Sequence, residues 1–244
     1  MKLSHRARRI IAVATLLSGV ATWLIVSPKS YETEVVSTAN DLTAEPSNTT
    51  PNTTTPLAAE ILSKLEIKGR APKTGYARTE FYNGWPTIDG CSLRQRIIKR
   101  DFGDTAVLDP ANSCNVISGE YDEPYTGQHQ IFKSRDDISK NVQIDHVVSL
   151  SDAWQKGAQY KTKDERYQIA TDPLNLLAVD SSANKQKSDG DAATWLPGNK
   201  KFRCQYVARQ VSVKYKYTLW LTQAEHDAIA KILEQCPGEP AIGV

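Results

Sequence analysis

Three short segments of the chain carry side chains that could together hydrolyse a phosphodiester bond. They are Ile144-Asp145-His146-Val147, Pro173-Leu174-Asn175-Leu176 and Ala183–Asp189 (ANKQKSD). A neutral imidazole such as His146 can take a proton from water, because its unperturbed pKa is about 6.5. Asp145 and Asn184 offer the hard oxygen ligands that Mg²⁺ prefers, and a bound Mg²⁺ polarises phosphate and stabilises a leaving oxygen.

The surrounding sequence predicts two strands and a helix that carry these residues. Val142–Leu150 is rich in β-branched residues, and Leu174–Val179 is a second short apolar run. Ser181 or Ser182 can cap a short helix that runs through Lys187 and stops before Gly190. Neighbouring residues of a regular strand face opposite ways, so we expect a bend or bulge at Asp145 and His146.

Helical periodicity predicts most of the other elements. A short strand is expected at Gln130–Lys133 and a turn at Tyr121–Gly127. The expected helices are Leu57–Leu65, Ser92–Arg100, Leu150–Ala158, Lys163–Ala170, Lys201–Tyr217 and Thr222–Gln235.

The order of the three segments resembles that of HNH, or ββα-metal, endonucleases. More narrowly, the chain resembles exported bacterial proteins with a GmrSD-type C-terminal nuclease domain, over roughly Cys91–Cys236. The resemblance is strongest in DHVVSLSDAWQKGA, DPLNLLAVDSSANKQKSDGDAATWLP and FRCQYVARQ. It implies an α+β fold in which a ββα-metal finger is embedded in a mostly helical domain with two disulfides.

The resemblance also implies roles for individual residues. Asp145 and Asn184 correspond to metal ligands and His146 to the general base. Asn175 is the residue expected to orient the loop that positions His146. Asn184 stands where many family members have histidine, which leaves Asp145 as the one charged protein ligand. Mg²⁺ is the expected ion, with Mn²⁺ as the alternative.

The implied partner is DNA, cut with little sequence preference, with RNA as an alternative substrate and no obligate protein partner. Lys185, Lys187 and, more weakly, Arg203 are candidates for phosphate contacts. The whole chain of 244 residues has a net charge of only +2 and a pI near 8.2, which does not by itself indicate a nucleic-acid binder. The segment Lys185–Lys216 is locally basic, which fits a phosphate-contacting surface or an ordinary solvated face.

The N-terminal part of the chain predicts export. In residues 1–30, four basic residues within Met1–Arg9 precede the apolar run Ile10–Val26, as in a signal peptide or an N-terminal anchor that engages the membrane or the secretion machinery. Gly19-Val20-Ala21 offers a cleavage site, and the cleaved and anchored forms remain equal alternatives. Residues 31–58, rich in Thr, Asn, Pro and Ser, are expected to be a disordered linker before a nuclease domain at 59–244. That domain is expected to be secreted or extracytoplasmic, with residues 10–26 as a tether if they are retained.

Cys91, Cys114, Cys204 and Cys236 are even in number and lack metal-finger spacing, so two disulfides are expected in an oxidising compartment. Three pairings are conceivable. We favour Cys91–Cys114 with Cys204–Cys236, because each bond would then join one local unit of the chain.

Two other functions compete with the nuclease. An HNH-like scaffold could bind nucleic acid or a surface partner without cutting, and exported proteins are often cell-wall hydrolases. A hydrolase would need a zinc triad or paired carboxylates, which the sequence does not offer convincingly. For a nuclease with His146 as base, activity should decline below about pH 6.5.

Overall fold

The computed structural model describes residues 55–243. The predicted leader and nearly all of the predicted linker lie outside this range, so both stay predictions. Within residues 55–243, no helix is both long and apolar enough to cross a membrane.

The described chain is a mixture of helices and short strands, as predicted. The helices are α1 Ala58–Leu62, α2 Leu93–Phe102, α3 Arg135–Asn141, α4 Leu150–Gln155, α5 Lys163–Thr171, α6 Ser181–Lys187, α7 Arg203–Lys216 and α8 Gln223–Leu233. The strands are β1 Thr87–Ile88, β2 Cys91–Ser92, β3 Val107–Asp109, β4 Asn112–Asp122, β5 His129–Phe132, β6 Val142–His146 and β7 Leu176–Asp180.

The strands form three separate antiparallel sheets with the orders β1–β2, β3–β4–β5 and β6–β7. The three-stranded sheet is a difference from the sequence analysis, which expected a turn where β4 ends and no strand at β3. Its apolar side chains, with those of α2 and α3, pack against Ile144, Leu176 and Ala178 on one face of the β6–β7 pair.

The β6–β7 pair leads directly into α6, and the three predicted site segments lie on or beside these elements. Val142 pairs with Asp180 at one end and His146 pairs with Leu176 at the other. The described register has no shift, so the bend or bulge expected at Asp145 and His146 is absent from this pair. Strand alternation instead sends Asp145 toward α6 and His146 toward the opposite face.

Side-chain caps fix where the site elements begin. Asp180, rather than Ser181 or Ser182, caps α6 by accepting hydrogen bonds from the backbone of Ser182 and Ala183. Ser149, the residue before α4, accepts from the backbone N–H of Asp152. These caps satisfy amide groups that the first helical turn leaves without intrahelical partners.

Both favoured disulfides are confirmed, Cys91–Cys114 joining β2 to β4 and Cys204–Cys236 joining α7 to the chain after α8. The second bond also accounts for a cluster of Cys204, Cys236 and Glu239 with metal-like spacing. Its two sulfurs are bonded to each other, so the cluster offers no thiolate for a metal.

A cluster of six charged side chains, five of them buried and Arg70 partly exposed, joins the segment before α2 (residues 66–85) to four other parts of the fold. Its three cations are Arg70, Lys156 and Lys214, and its three anions are Asp152, Asp191 and Glu225. Both lysines and Glu225 are fully buried. Lys156 lies 2.7 Å from Asp152, 2.8 Å from Asp191 and 2.5 Å from Glu225. The equal numbers of opposite charges make the burial of each tolerable.

Removing one lysine should therefore be costly. Lys214, which lies 3.0 Å from Glu225 and 3.2 Å from Asp152, is the test position. Lys214→Met should lower the free energy of unfolding by about 3–5 kcal/mol, because it leaves a buried carboxylate charge uncompensated. Urea denaturation measures the loss, and Lys200→Met at an exposed lysine is the control. Equal urea midpoints for the two variants would show that Lys214 does not compensate the buried carboxylates.

The same cluster predicts the acid stability of the protein. Burial alone would raise the pKa of Asp191, but the hydrogen bond and charge of Lys156 and the charge of Arg70 lower it to about 2. A depressed folded-state pKa adds stability that is fully present above the unfolded value near 4 and is lost as the pH falls toward 2. Denaturation at stepped pH should show this loss between about pH 4 and pH 2. Asp191→Asn should give a shallower decline there, and an equally steep decline would contradict the assignment.

Candidate active site

A cleft of about 340 Å³ opens where the end of β6 meets α6. Three of the predicted site residues, Asp145, His146 and Asn184, line it. The remaining lining residues come from the segment before α2, from β6 and the start of α4, and from the end of α6. They are Lys73, Tyr76, Arg78, Ile144, Ser149, Leu150, Ser151, Ser188 and Asp189.

His146 is held by one hydrogen bond and two aromatic rings. Its Nε2 lies 2.9 Å from the carbonyl oxygen of Ala170, which can only accept, so Nε2 carries the proton. Trp85 stacks on the imidazole with ring centroids 5.9 Å apart and planes 10° apart, and the Tyr82 ring lies at the same centroid distance. The neutral ring therefore has Nδ1 as its proton-accepting nitrogen.

Burial lowers the pKa of His146 to about 3, although the hydrogen bond to Ala170 opposes this shift. The imidazole is 5% exposed, so its charged form would lose most of its hydration. His146 is consequently neutral at every pH near neutrality. The decline in activity below pH 6.5 that the sequence suggested is not expected from this histidine.

Asn175 lies behind His146 and is fully buried. Its Oδ1 accepts from the backbone N–H of Val148 at 2.8 Å, and its Nδ2 donates to the carbonyls of Val148 at 3.2 Å and Ile169 at 3.1 Å. One side chain thus joins the loop after β6 to the end of α5. The residue after Ile169 is Ala170, which supplies the carbonyl for His146.

Asp145 is buried among polar partners on the α6 side of β6. Its Oδ1 lies 3.0 Å from the Lys187 ammonium, and its Oδ2 accepts from the hydroxyl of Tyr125. Burial raises the pKa of Asp145, while Lys187 and Tyr125 oppose that rise. Lys187 also donates to the carbonyl of His146 at 2.9 Å and so ties α6 to the end of β6.

Asp145 and Asn184 bring side-chain oxygens to this end of the cleft, and oxygen is the ligand type that a hard divalent cation prefers. Asn184 donates its amide N–H to Gln143 Oε1 at 2.9 Å, so its own carbonyl oxygen is the atom left to coordinate. Each Asp145 oxygen has one partner and retains a second lone-pair position. The Lys187 charge offsets that of Asp145, so such a site would bind a cation only modestly.

The predicted phosphate contacts do not gather at the cleft. Lys187 is 1% exposed and its ammonium faces Asp145, which does not fit a contact with phosphate. Lys185 is exposed on α6 but does not line the cleft, and Arg203 donates to the carbonyl of Pro197 at 2.8 Å. With Lys214 also fully buried, two of the eight basic residues of Lys185–Lys216 support the fold instead of covering a surface.

The sequence analysis missed a segment that encloses the cleft. We call residues 66–85 the strap. The strap supplies Trp85 and Tyr82 beside His146, and Lys73, Tyr76 and Arg78 in the cleft wall. Its content of four aromatic and four basic residues was the available signal, but it carries no periodic pattern that would have placed it at the site.

Two comparisons with known proteins bear on this site. The model of the family described as "GmrSD restriction endonucleases, C-terminal domain" matches residues 93–232. The chain is also 35% identical over 198 residues to an "Uncharacterized secreted protein" of Arthroderma benhamiae, a match that covers 80% of this chain and 92% of that protein. No solved structure matches the chain.

The family match covers more than half of the chain and includes every element from α2 to α8. The protein therefore belongs to the family of GmrSD-type restriction endonuclease C-terminal domains, as its sequence motifs suggested. Membership supports a nuclease. The similarity to a secreted protein and the two disulfides support an exported one.

Asn175 offers a direct test of how the cleft is supported. Asn175→Ala should lower the free energy of unfolding by about 3 kcal/mol, because it leaves a buried amide N–H and two buried carbonyls without their partner. Urea denaturation measures this change, with Gln186→Ala at an exposed amide on α6 as the control. If the Asn175 variant lost no more stability than the control, the network described here would be wrong.

Proposed function

We propose that the protein is an exported, metal-dependent endonuclease of the HNH type that hydrolyses phosphodiester bonds in DNA with little sequence preference. The observation that carries the proposal is the state of His146. Its imidazole is buried and neutral, it lines the cleft, and its Nδ1 is the proton-accepting nitrogen. The unprotonated form is the one that a general base needs, although the lowered pKa makes this imidazole a weaker base than a free histidine.

In the proposed reaction, His146 Nδ1 removes a proton from a water molecule. The resulting hydroxide attacks phosphorus, the bond from phosphorus to the leaving oxygen breaks, and that oxygen is protonated from solvent. The hydrogen bond from Nε2 to Ala170 fixes the ring orientation during this transfer. Asn175 acts as a positioning residue through its hold on the loop after β6 and the end of α5.

Asp145 and Asn184 would hold the metal ion, for which Mg²⁺ is the first choice and Mn²⁺ the alternative. A bound ion would neutralise phosphate charge and stabilise the leaving oxygen. Lys187 opposes the rise that burial causes in the pKa of Asp145 and holds its carboxylate in place, while Gln143 orients the Asn184 amide.

The β6–β7–α6 unit supports assignment to the HNH type, because Asp145 and His146 lie on β6, Asn175 lies in the turn before β7 and Asn184 lies on α6, the order that the resemblance implies. The name of the fungal relative and the two disulfides support function outside the cell. Release or tethering through residues 10–26 is part of the proposal and depends on residues outside the described range.

The proposal is tested with the purified protein, its disulfides intact, on supercoiled plasmid DNA with Mg²⁺ or Mn²⁺. Nicking is expected, and both EDTA and His146→Ala should abolish it. Loss of the base should lower the rate by about 10²–10⁴-fold. Gel electrophoresis over time measures the rate, and a thermal melt verifies that each variant is folded.

His129→Ala is the matched control, since His129 is an exposed histidine outside the cleft that pairs with Asp122. It should cut at the wild-type rate. A folded His146→Ala protein that still cut at that rate would exclude His146 as the base. Cutting that persisted in EDTA would exclude the metal.

One observation favours a second function, a binding module that holds nucleic acid without cutting. The Lys187 ammonium already neutralises Asp145, so the site could remain without metal. DNA retardation by a folded protein that nicks under neither metal would support this alternative and overturn the enzyme.

A further inference from the structure

The charges of the cleft leave one cation without a carboxylate partner. Lys73 lies 3.0 Å from Asp189, and Asp145 lies 3.0 Å from Lys187. Within each pair the two opposite charges compensate each other. Within residues 55–243, no carboxylate lies within ion-pair distance of Arg78, which also lines the cleft. The cleft wall therefore carries one uncompensated positive charge, equal and opposite to that of a single phosphodiester group.

Arg78 is held in place from one side only. Its Nε and Nη2 both donate to the hydroxyl of Tyr82, and its guanidinium lies 5.2 Å from the centre of the Tyr82 ring. The same ring lies 5.9 Å from the His146 ring. Tyr82 thus links the guanidinium to the proposed base, while Nη1 retains donors without a protein partner described in the structure. A guanidinium with free, parallel donors suits phosphate oxygens.

The strap that carries Arg78 is anchored along its length. Trp220 Nε1 donates to the carbonyl of Gly69 at 3.0 Å, the Ala71 N–H donates to Gln155 O at 2.8 Å, and Arg166 Nε donates to Glu80 O at 2.9 Å. Arg70 adds its contacts with the buried charge cluster. The backbone that carries Arg78 is consequently anchored by tertiary contacts before and after this residue.

The strap lies upstream of the family match, which begins at residue 93. The similarity to the Arthroderma benhamiae protein extends further. A continuous stretch covering 80% of a 244-residue chain must include the strap wherever it starts. The strap therefore belongs to the part of the chain that this secreted relative shares, beyond the family's own region.

We propose that Arg78 binds the phosphate group at which the DNA strand is cut. The strap thereby completes the site, because the family region alone supplies no cation of the cleft that is free to contact the substrate phosphate. This role deepens the proposed nuclease function and rests on it for the cutting step. It replaces Lys187 as the phosphate-contacting cation of the cleft. Because phosphate gains negative charge in the transition state, Arg78 should contribute more to the rate of cutting than to binding.

The first measurement is DNA binding in EDTA, where no cutting takes place. Arg78→Gln should weaken the binding of a short fluorescein-labelled duplex about fivefold, and the slope of log Kd against log salt should fall by about 0.9, the effect of one lost phosphate contact. Fluorescence anisotropy measures both quantities. Lys231→Gln removes an equal charge from an exposed site on α8 and should change neither.

The second measurement is cutting with Mg²⁺. Arg78→Gln should lower kcat by about 100-fold, well beyond its effect on binding. Arg78→Lys keeps the charge but loses the fork of donors, so it should retain the wild-type salt slope and lose about tenfold in kcat. This variant also keeps the proposal testable if Arg78→Gln melts at a lower temperature than the wild type.

The two proposals fail in different ways. If the wild type does not cut, the nuclease is excluded, and the binding measurement still decides whether Arg78 contacts phosphate. If Arg78→Gln is folded and has the same Kd and salt slope as Lys231→Gln, Arg78 does not bind phosphate. Its role would then be limited to packing on Tyr82.

Discussion

The charge cluster of Arg70, Lys156, Lys214, Asp152, Asp191 and Glu225, buried except at Arg70, is the constraint on which the rest of the structure depends. Charges in a medium of low dielectric constant are stable only when every one of them is paired, so the cluster tolerates no partial assembly. It joins the strap, the segment around α4, the chain after α6, and the helices α7 and α8. These are the elements that surround the β6–β7–α6 unit.

The chemistry of the cleft follows from this enclosure. The strap is tied down at Arg70, and further along it places Tyr82 and Trp85 against His146. Aromatic walls exclude water from the imidazole, which keeps it neutral, while the Ala170 carbonyl selects the nitrogen that carries the proton. Fold stability and the state of the proposed base thus depend on the same tertiary contacts.

Ion pairing also determines which cations are free. Lys187 and Lys214 look like surface lysines in the sequence, yet both are buried beside carboxylates. Arg78, which no sequence motif marks, is the cation that the cleft leaves without a carboxylate. Sequence reasoning could not separate these cases, because the distinction rests on partners 42 and 62 residues away in the chain.

Local pattern was sufficient for the elements whose signals lie within them. It predicted the helices near α2, α5, α7 and α8, the strands at β6 and β7, both disulfides and the family. It failed for β4, whose polar sequence Asn112–Asp122 has little alternation and becomes a strand through pairing with β3 and β5. Local pattern also predicted a bulge at Asp145 and His146. The structure instead has a regular strand that ends at the cleft, and the two residues line the cleft from opposite faces of that strand.

The sequence by itself determined which residues around β6, β7 and α6 are candidates for chemistry, because their types and order suffice to mark them. It also favoured the cysteine pairing that the structure contains, since each bond joins positions close along the chain. Only the tertiary structure decided that His146 is neutral, that Lys187 faces inward and that the strap closes the cleft. Burial and ion pairing depend on which distant segments meet, and no local pattern records that.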